Sequence, residues 1–272
     1  MIYCIWYPSG GFGHFINSIL SIYGQNFVRP TNKTVEFSEN GNAHSVELVA
    51  PKYKSSLENY NFVPAEPNKN YSVLIDNGIN NESEEFKKFF PGAQILKICY
   101  SNQTWPVIAR TMIDKAMNSR LEEQLPVNAG LWDHTSNWAK REKYFLFLRD
   151  HSLRHQWKPS TGNNIIFVDD LLCYETLART LCNIGIQTDD FNELWNQWYS
   201  ANIMYIRPVV YAEEIINNIK HNRNQSLSDV TDLWTQAVIY YFLWLEFGKE
   251  VPHNDYADFF DSTSNIRKWL QL

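Results

Sequence analysis

A glycine-rich segment near the start of the chain, residues 7–14, has the residue types of an anion-binding loop. It reads Tyr-Pro-Ser-Gly-Gly-Phe-Gly-His, and Gly10, Gly11 and Gly13 allow a sharp turn and a close approach of the backbone to a ligand. An apolar run precedes it and a predicted helix follows, so N–H groups and the positive helix end would point into one concavity. This chemistry suits a phosphate or a sulfate. The alternative is a strand-to-helix turn that needs glycine for packing alone.

Other residues in the sequence are candidates for acid–base or charge chemistry. His14 is a candidate acid/base group or anion ligand, and equally a surface or capping histidine. Asp76 ends a predicted strand, where a carboxylate can act as general base toward a hydroxyl; its alternative is a loop cap. Residues 149–155 hold two Arg and two His, which suit either a polyanionic ligand or a solvated helix end. The pair Asp169 and Asp170 is interpreted as a helix N-cap rather than as a metal pair.

Composition and charge exclude several classes of function. The net charge of −6 disfavours nucleic-acid binding, which needs a basic excess. The four cysteines lack metal-ligand spacing, so no metal site is expected. The apolar run 237–245 is about half as long as a membrane helix, and the first residues lack the basic region of a signal peptide. These features predict a cytoplasmic protein that has neither a nucleic-acid nor a membrane partner.

Strands and helices are predicted to alternate through the first 190 residues. The predicted strands cover residues 2–7, 71–77, 94–100 and 164–168, and the predicted helices cover 15–23, 82–90, 105–117, 137–148 and a segment from 170 to 181. This alternation indicates a parallel sheet with right-handed crossovers. From Phe191 onward the pattern is helical. We therefore predict one α/β domain over 1–272, with a core of 1–190 and a helical C-terminal lobe over 191–272.

Two motifs resemble the P-loop sulfotransferase family, and are similar to sulfotransferase-like proteins encoded by marine phages. Tyr7-Pro8-Ser9-Gly10-Gly11 occupies the place of the family's Tyr-Pro-Lys-Ser-Gly turn after the first strand. Residues 165–172, Ile-Ile-Phe-Val-Asp-Asp-Leu-Leu, are similar to its late strand and the following helix, which here ends at Ile184-Gly185. The resemblance covers most of residues 1–190. It implies a three-layer, P-loop-type parallel sheet flanked by helices, and the host cytoplasm as location if the protein is phage-encoded.

The resemblance also implies a donor, 3′-phosphoadenylyl sulfate, and residues that hold it. Its 5′ end would lie on a set of loop residues, and its 3′ end on Ser101 and Arg110, while His14 or Asp76 would act on the acceptor. The loop residues of this set are Ser9, Gly10, Gly11, Phe12, Gly13 and Phe15. The sequence departs from the family at a chemically important position, because Ser9 stands near the position of the family's loop lysine.

Three functions are compatible with these patterns. The first is an enzyme that transfers a sulfuryl group to a hydroxyl of a small-molecule or carbohydrate acceptor. The second is a fucosyltransferase-like glycosyltransferase that uses a nucleotide sugar, since Gly10-Gly11-Phe12-Gly13-His14 also resembles that family's glycine-rich loop. The third is a non-catalytic nucleotide- or anion-binding module, suggested by the missing lysine. The sequence leaves the acceptor and the oligomeric state open.

Overall fold

The computed structural model describes residues 1–8, 11–37, 48–53, 62–75, 84–119, 137–154, 164–249 and 261–272. The chain forms two compact units. The first unit comprises residues 1–101 and 157–203, and the second comprises residues 102–156 and 204–272. The prediction of a single domain with a helical extension stays a prediction.

The first unit contains a four-stranded parallel sheet. Its strands are β1 Ile2–Trp6, β2 Tyr71–Ile75, β3 Gln94–Cys99 and β4 Ile165–Phe167. They are ordered β2-β1-β3-β4, and every neighbouring pair is parallel. All four predicted strands are therefore confirmed, and the α/β class with them. In β1, Cys4 and Ile5 are completely buried, as its continuous apolar run predicts for an inner strand.

Nine helices lie in the described parts of the chain, and most were predicted. In chain order they are α1 Gly13–Tyr23, α2 Glu84–Phe89, α3 Trp105–Ser119, α4 Asn137–Arg154, α5 Val168–Leu171, α6 Tyr174–Asn183, α7 Asn192–Lys220, α8 Leu233–Phe247 and α9 Thr263–Leu270. The longest, α7, runs from the first unit into the second. None of the helices in the described residues is long and apolar enough to cross a membrane.

Helices pack on the sheet of the first unit according to the alternation of its side chains. Cys4, Val73 and Ile75 share one face, where Phe86 and Phe90 of the α2 region cover them. The side chains between them in sequence point to the opposite face. Helix α1 packs against β1 and β2 through its buried apolar residues. The core of the first unit therefore includes buried residues of both β1 and α1.

The second unit is helical, and its most apolar element is α8. The sequence predicts that α8 is sandwiched, because both of its faces are apolar. The structure confirms this, since residues 237–243 are all buried. Helix α4 packs against α8. It is also joined to α3, where the indole of Trp105 donates to the Leu148 carbonyl at 3.0 Å. Helices α3, α4 and α8 are therefore packed together in the second unit.

Two predicted boundaries differ from the structure. Helix α4 continues to Arg154, so Arg149 to Arg154 are in its last turns instead of following it. Helix α5 begins at Val168, which places Asp169 and Asp170 inside its first turn, and the N-cap is Phe167. The Asp170 carboxylate accepts the Phe167 N–H at 3.0 Å, as the third residue of a helix often does. The predicted N-cap role of the pair was therefore wrong by two to three residues.

Asp170 gives a testable dependence of stability on pH. Burial raises the pKa of its carboxyl above the ordinary 3.8, and hydrogen bonds from the Phe167 N–H and the Thr180 side chain only partly oppose this. Ionisation of Asp170 therefore opposes folding, and its cost is absent below about pH 3.8 and grows as the pH rises through the folded-state pKa. We expect Asp170→Asn, which keeps an acceptor for Phe167, to be more stable than the wild type at pH 7 and equal to it at pH 3.

Asp190→Asn is a control of opposite sign for this experiment. The Asp190 pKa is lowered by hydrogen bonds from the Asn192 N–H and the Tyr174 hydroxyl, so its ionised form favours folding. This variant should lose stability at pH 7 and none at pH 3. Urea unfolding at both pH values measures the two differences. An Asp170→Asn variant less stable than the wild type at pH 7 would contradict the argument.

Candidate functional site

The glycine-rich segment connects the end of β1 to the start of α1. After β1 ends at Trp6, the N–H of Gly11 donates to the carbonyl of Pro8 at 2.8 Å, which closes a tight turn. Helix α1 begins at Gly13, two residues earlier than the sequence predicts. Ser9 and Gly10, two of the predicted donor-binding residues, lie outside the described residues. The strand–turn–helix context that the motif requires is present.

Packing leaves no space for a side chain at the two described glycines of this turn. A Cβ at Gly11 would lie 2.9 Å from the Pro8 carbonyl oxygen and 2.7 Å from its ring. A Cβ at Gly13 would lie 2.2 Å from the ring of Tyr7. Gly11 and Gly13 are buried, whereas Tyr7 and His14 are half-buried. Packing thus requires glycine at both positions, as the alternative of a packing turn predicts, and the half-buried side of the turn is the one next to Tyr7 and His14.

Phe12 sets the geometry at the start of α1. It is the N-cap, with a φ of 58°, a left-handed conformation unusual for a bulky residue, and it offers no side-chain acceptor to the helix. Its carbonyl accepts the N–H groups of Phe15 and Ile16. The remaining N–H groups of the first turn have no acceptor within the helix itself. The helix start consequently relies on the loop or on a ligand for hydrogen bonds, which suits an anion.

The left-handed cap is held by a tryptophan that sequence reasoning missed. Trp198 of α7 is completely buried and stacks on Phe15, with ring centroids 4.6 Å apart and planes at 9°. Phe12 meets the same indole edge-on at 5.2 Å. The rings of Phe12 and Phe15 thus belong to the core, so these two predicted ligand residues can contact a ligand only through their backbone. No sequence signal separates Trp198 from the nine other tryptophans.

The junction lies where ligands gather in parallel sheets. Strand β1 lies between β2 and β3. The chain continues from β1 to β2 on one side of the sheet, and from β3 to β4 on the other side. At such a switch point the loops following β1 and β3 diverge and leave a crevice at the carboxyl ends of the strands.

Tyr100 and Ser101 directly follow β3, and burial raises the pKa of Tyr100 to about 12. The phenol therefore stays protonated at neutral pH.

Ser101 follows β3 at this edge, but its hydroxyl is bonded to a carboxylate. It donates to Asp169 at 2.7 Å, which ties the loop after β3 to the start of α5 after β4. An anion on Ser101 would meet the negative charge of Asp169. Its predicted role at a 3′-phosphate stays a prediction, and the structure shows an additional, structural role.

Arg110 is in the second unit, on α3. Its guanidinium pairs with Asp114 at 3.1 Å and lies 5.5 Å from the ring centroid of Trp234. The side chains of the pair are 25% and 15% exposed. Tyr144 and Tyr205 extend the network, since the former bonds to Arg110 and the latter to Asp114. The positive charge of Arg110 is thus balanced inside the helical unit, and its role toward a 3′-phosphate also stays a prediction.

The remaining predicted residues are placed only in part. The ring of His14 meets that of Tyr7 edge-on, with centroids 6.1 Å apart. Asp76 lies outside the described residues, directly after the last residue of β2. Within the described residues, no group of three or more His, Cys, Asp or Glu could hold a metal ion. Of the predicted site residues, those described at the β1–α1 junction are consecutive in the sequence: Gly11, Phe12, Gly13, His14 and Phe15.

Comparison with known proteins gives no relative for this chain. No protein-family model, no curated protein and no solved structure matches it.

Proposed function

We propose that the β1–α1 junction binds the phosphosulfate end of a nucleotide donor, 3′-phosphoadenylyl sulfate, and that the protein transfers its sulfuryl group to a hydroxyl of a small-molecule or carbohydrate acceptor. The P-loop, three-layer arrangement is part of the same proposal. The observation that carries it is the combination of a glycine-rich turn, a helix start without a side-chain cap, and a switch point of a parallel sheet.

The proposed reaction needs position and charge more than covalent chemistry from the protein. The acceptor oxygen bonds to sulfur while the bond between sulfur and the donor phosphate oxygen breaks, and adenosine 3′,5′-bisphosphate leaves. The backbone N–H groups around Phe12 and Gly13 would stabilise the charge on the leaving phosphate. His14 or Asp76 would take the proton of the acceptor hydroxyl. In-line transfer of this kind resembles phosphoryl transfer, where positioning and electrostatics dominate.

A thermal shift experiment with three ligands tests the proposal. We expect adenosine 3′,5′-bisphosphate at millimolar concentration to raise the melting temperature, because it binds the native state alone. Guanosine diphosphate should have no effect. If guanosine diphosphate alone stabilises the protein, a nucleotide-sugar enzyme replaces the sulfotransferase. Stabilisation by inorganic sulfate and by both nucleotides alike would reduce the site to a general anion-binding module.

A further inference from the structure

Lys52 belongs to a short segment whose backbone is fixed at the carboxyl end of β2. The N–H of the next residue, Tyr53, donates to the Leu74 carbonyl at 2.9 Å, and Tyr53 forms a parallel bridge with Ile75. The Tyr53 ring is buried against Phe86 and Phe90. The position of Lys52 along the sheet edge is therefore determined by a backbone hydrogen bond and by an aromatic anchor.

The side chain of Lys52 reaches the glycine-rich turn. Because Tyr53 packs on the α2 face, the alternation of side chains places the preceding residue on the opposite face. Its Nζ is 5.5 Å from the ring centroid of Tyr7, the same ring that leaves no space for a Cβ at Gly13. Tyr7 also meets His14 edge-on. Lys52 thus carries its charge to the half-buried side of the turn, where a ligand would enter.

No acid among the described residues neutralises the charge of Lys52. The ion pairs of the described residues involve Arg29, Lys87, Arg110, Arg149 and Lys220, and none involves Lys52. Its only described partner is the face of an aromatic ring, which attracts a cation without cancelling its charge. The ammonium group can therefore bind an oxyanion that lies between it and the turn.

A buried amide oxygen of α1 has no hydrogen-bond partner among the described residues. It is the Oδ1 of Asn17, a residue that is 2% exposed. Asn17 lies four residues after Gly13, on the same face of the helix, and helical side chains lean toward the preceding turn. A buried acceptor without a partner is unfavourable. Because an oxyanion has no hydrogen to donate, only a donor group elsewhere on a ligand would satisfy this oxygen.

We propose that Lys52 supplies, from a distant part of the sequence, the positive charge that the sequence Ser9-Gly10-Gly11 lacks. It binds the sulfate or phosphate oxygens of the ligand. This inference rests on the proposed function of the β1–α1 junction. It assigns a binding residue, and it changes the interpretation of the missing loop lysine, because the cation is present in space although absent from the motif.

Calorimetric binding of adenosine 3′,5′-bisphosphate to three lysine variants tests this assignment. We expect Lys52→Met to weaken binding by about tenfold or more, since charge-assisted bonds to an oxyanion are lost. Lys52→Arg should stay within about threefold of the wild type, because it keeps the charge. Lys88→Met removes the same charge from the exposed surface of α2 and should bind within about twofold of the wild type.

A second readout follows Lys52 itself in the wild type. Acylation of lysines with an N-hydroxysuccinimide ester, read by mass spectrometry, should be slowed at Lys52 by the bisphosphate and unchanged at Lys88. Wild-type-like binding by Lys52→Met, together with unprotected Lys52, would overturn the assignment while leaving the site in place. Absence of any binding by the wild type would instead overturn the proposed function, and the Lys52 assignment with it.

Discussion

Gly11→Val is expected to abolish the thermal shift that adenosine 3′,5′-bisphosphate produces in the wild type. A Cβ at this position would lie 2.9 Å from the backbone oxygen of Pro8, so relief requires movement of the turn itself and not of a flexible side chain. The hydrogen bond from Gly11 to Pro8 would break, and the N–H groups that follow would change direction. Because ligand binding depends on N–H groups that point toward one anion, the affinity for adenosine 3′,5′-bisphosphate should fall by roughly 100-fold or more.

A destabilised variant with an intact turn is the control for this experiment. Ile186→Val removes one methyl group from a buried side chain that follows α6 in the first unit, outside the turn, and should cost about 0.5–1.5 kcal/mol. It should keep the full thermal shift at its lower melting temperature. If Gly11→Val retains the shift, the turn is not the binding site, and glycine serves packing alone at this position.

Trp198→Ala is expected to have the largest effect on stability. The indole is completely buried between Phe12 and Phe15, and truncation of such a side chain typically costs about 3–5 kcal/mol in urea unfolding followed by circular dichroism. The variant should also accelerate hydrogen exchange in the first turns of α1, because Phe12 would lose the ring that holds its left-handed conformation. Ligand binding should weaken in parallel with this loosening.

Two matched variants test whether the stabilising effect of Trp198 comes from its aromatic rings. Trp198→Phe keeps an aromatic ring on Phe15 and removes an indole N–H that has no hydrogen-bond partner, so it should cost clearly less than the alanine variant. Gln197→Ala, at the neighbouring exposed position of α7, should stay within about 0.5 kcal/mol of the wild type. A Trp198→Ala cost below about 1 kcal/mol would show that the α1 start holds its conformation without this support.

The elements of the fold could be predicted from the sequence because their signals are local. The apolar runs that predict β1 to β4 and the helical spacing of α8 each depend on neighbouring residues alone. The glycine-rich turn is also local, and its strand–turn–helix context was correct. The predicted start of α5 was wrong because β4 runs directly into the helix. The Asp170 side chain accepts the Phe167 N–H from within the first turn.

The sequence by itself thus determined the parallel α/β class and a glycine-rich turn before a helix. Only the tertiary structure decided the strand order, the Trp198 support beneath α1, the bond between Ser101 and Asp169, and the approach of Lys52 to Tyr7. Trp198 lies 183 residues after Phe15, and Lys52 lies 45 residues after Tyr7. Contacts over such separations depend on which strands pair and which helix faces meet. The periodicity of apolar residues does not determine these contacts, because many strand pairings and helix packings fit the same local pattern.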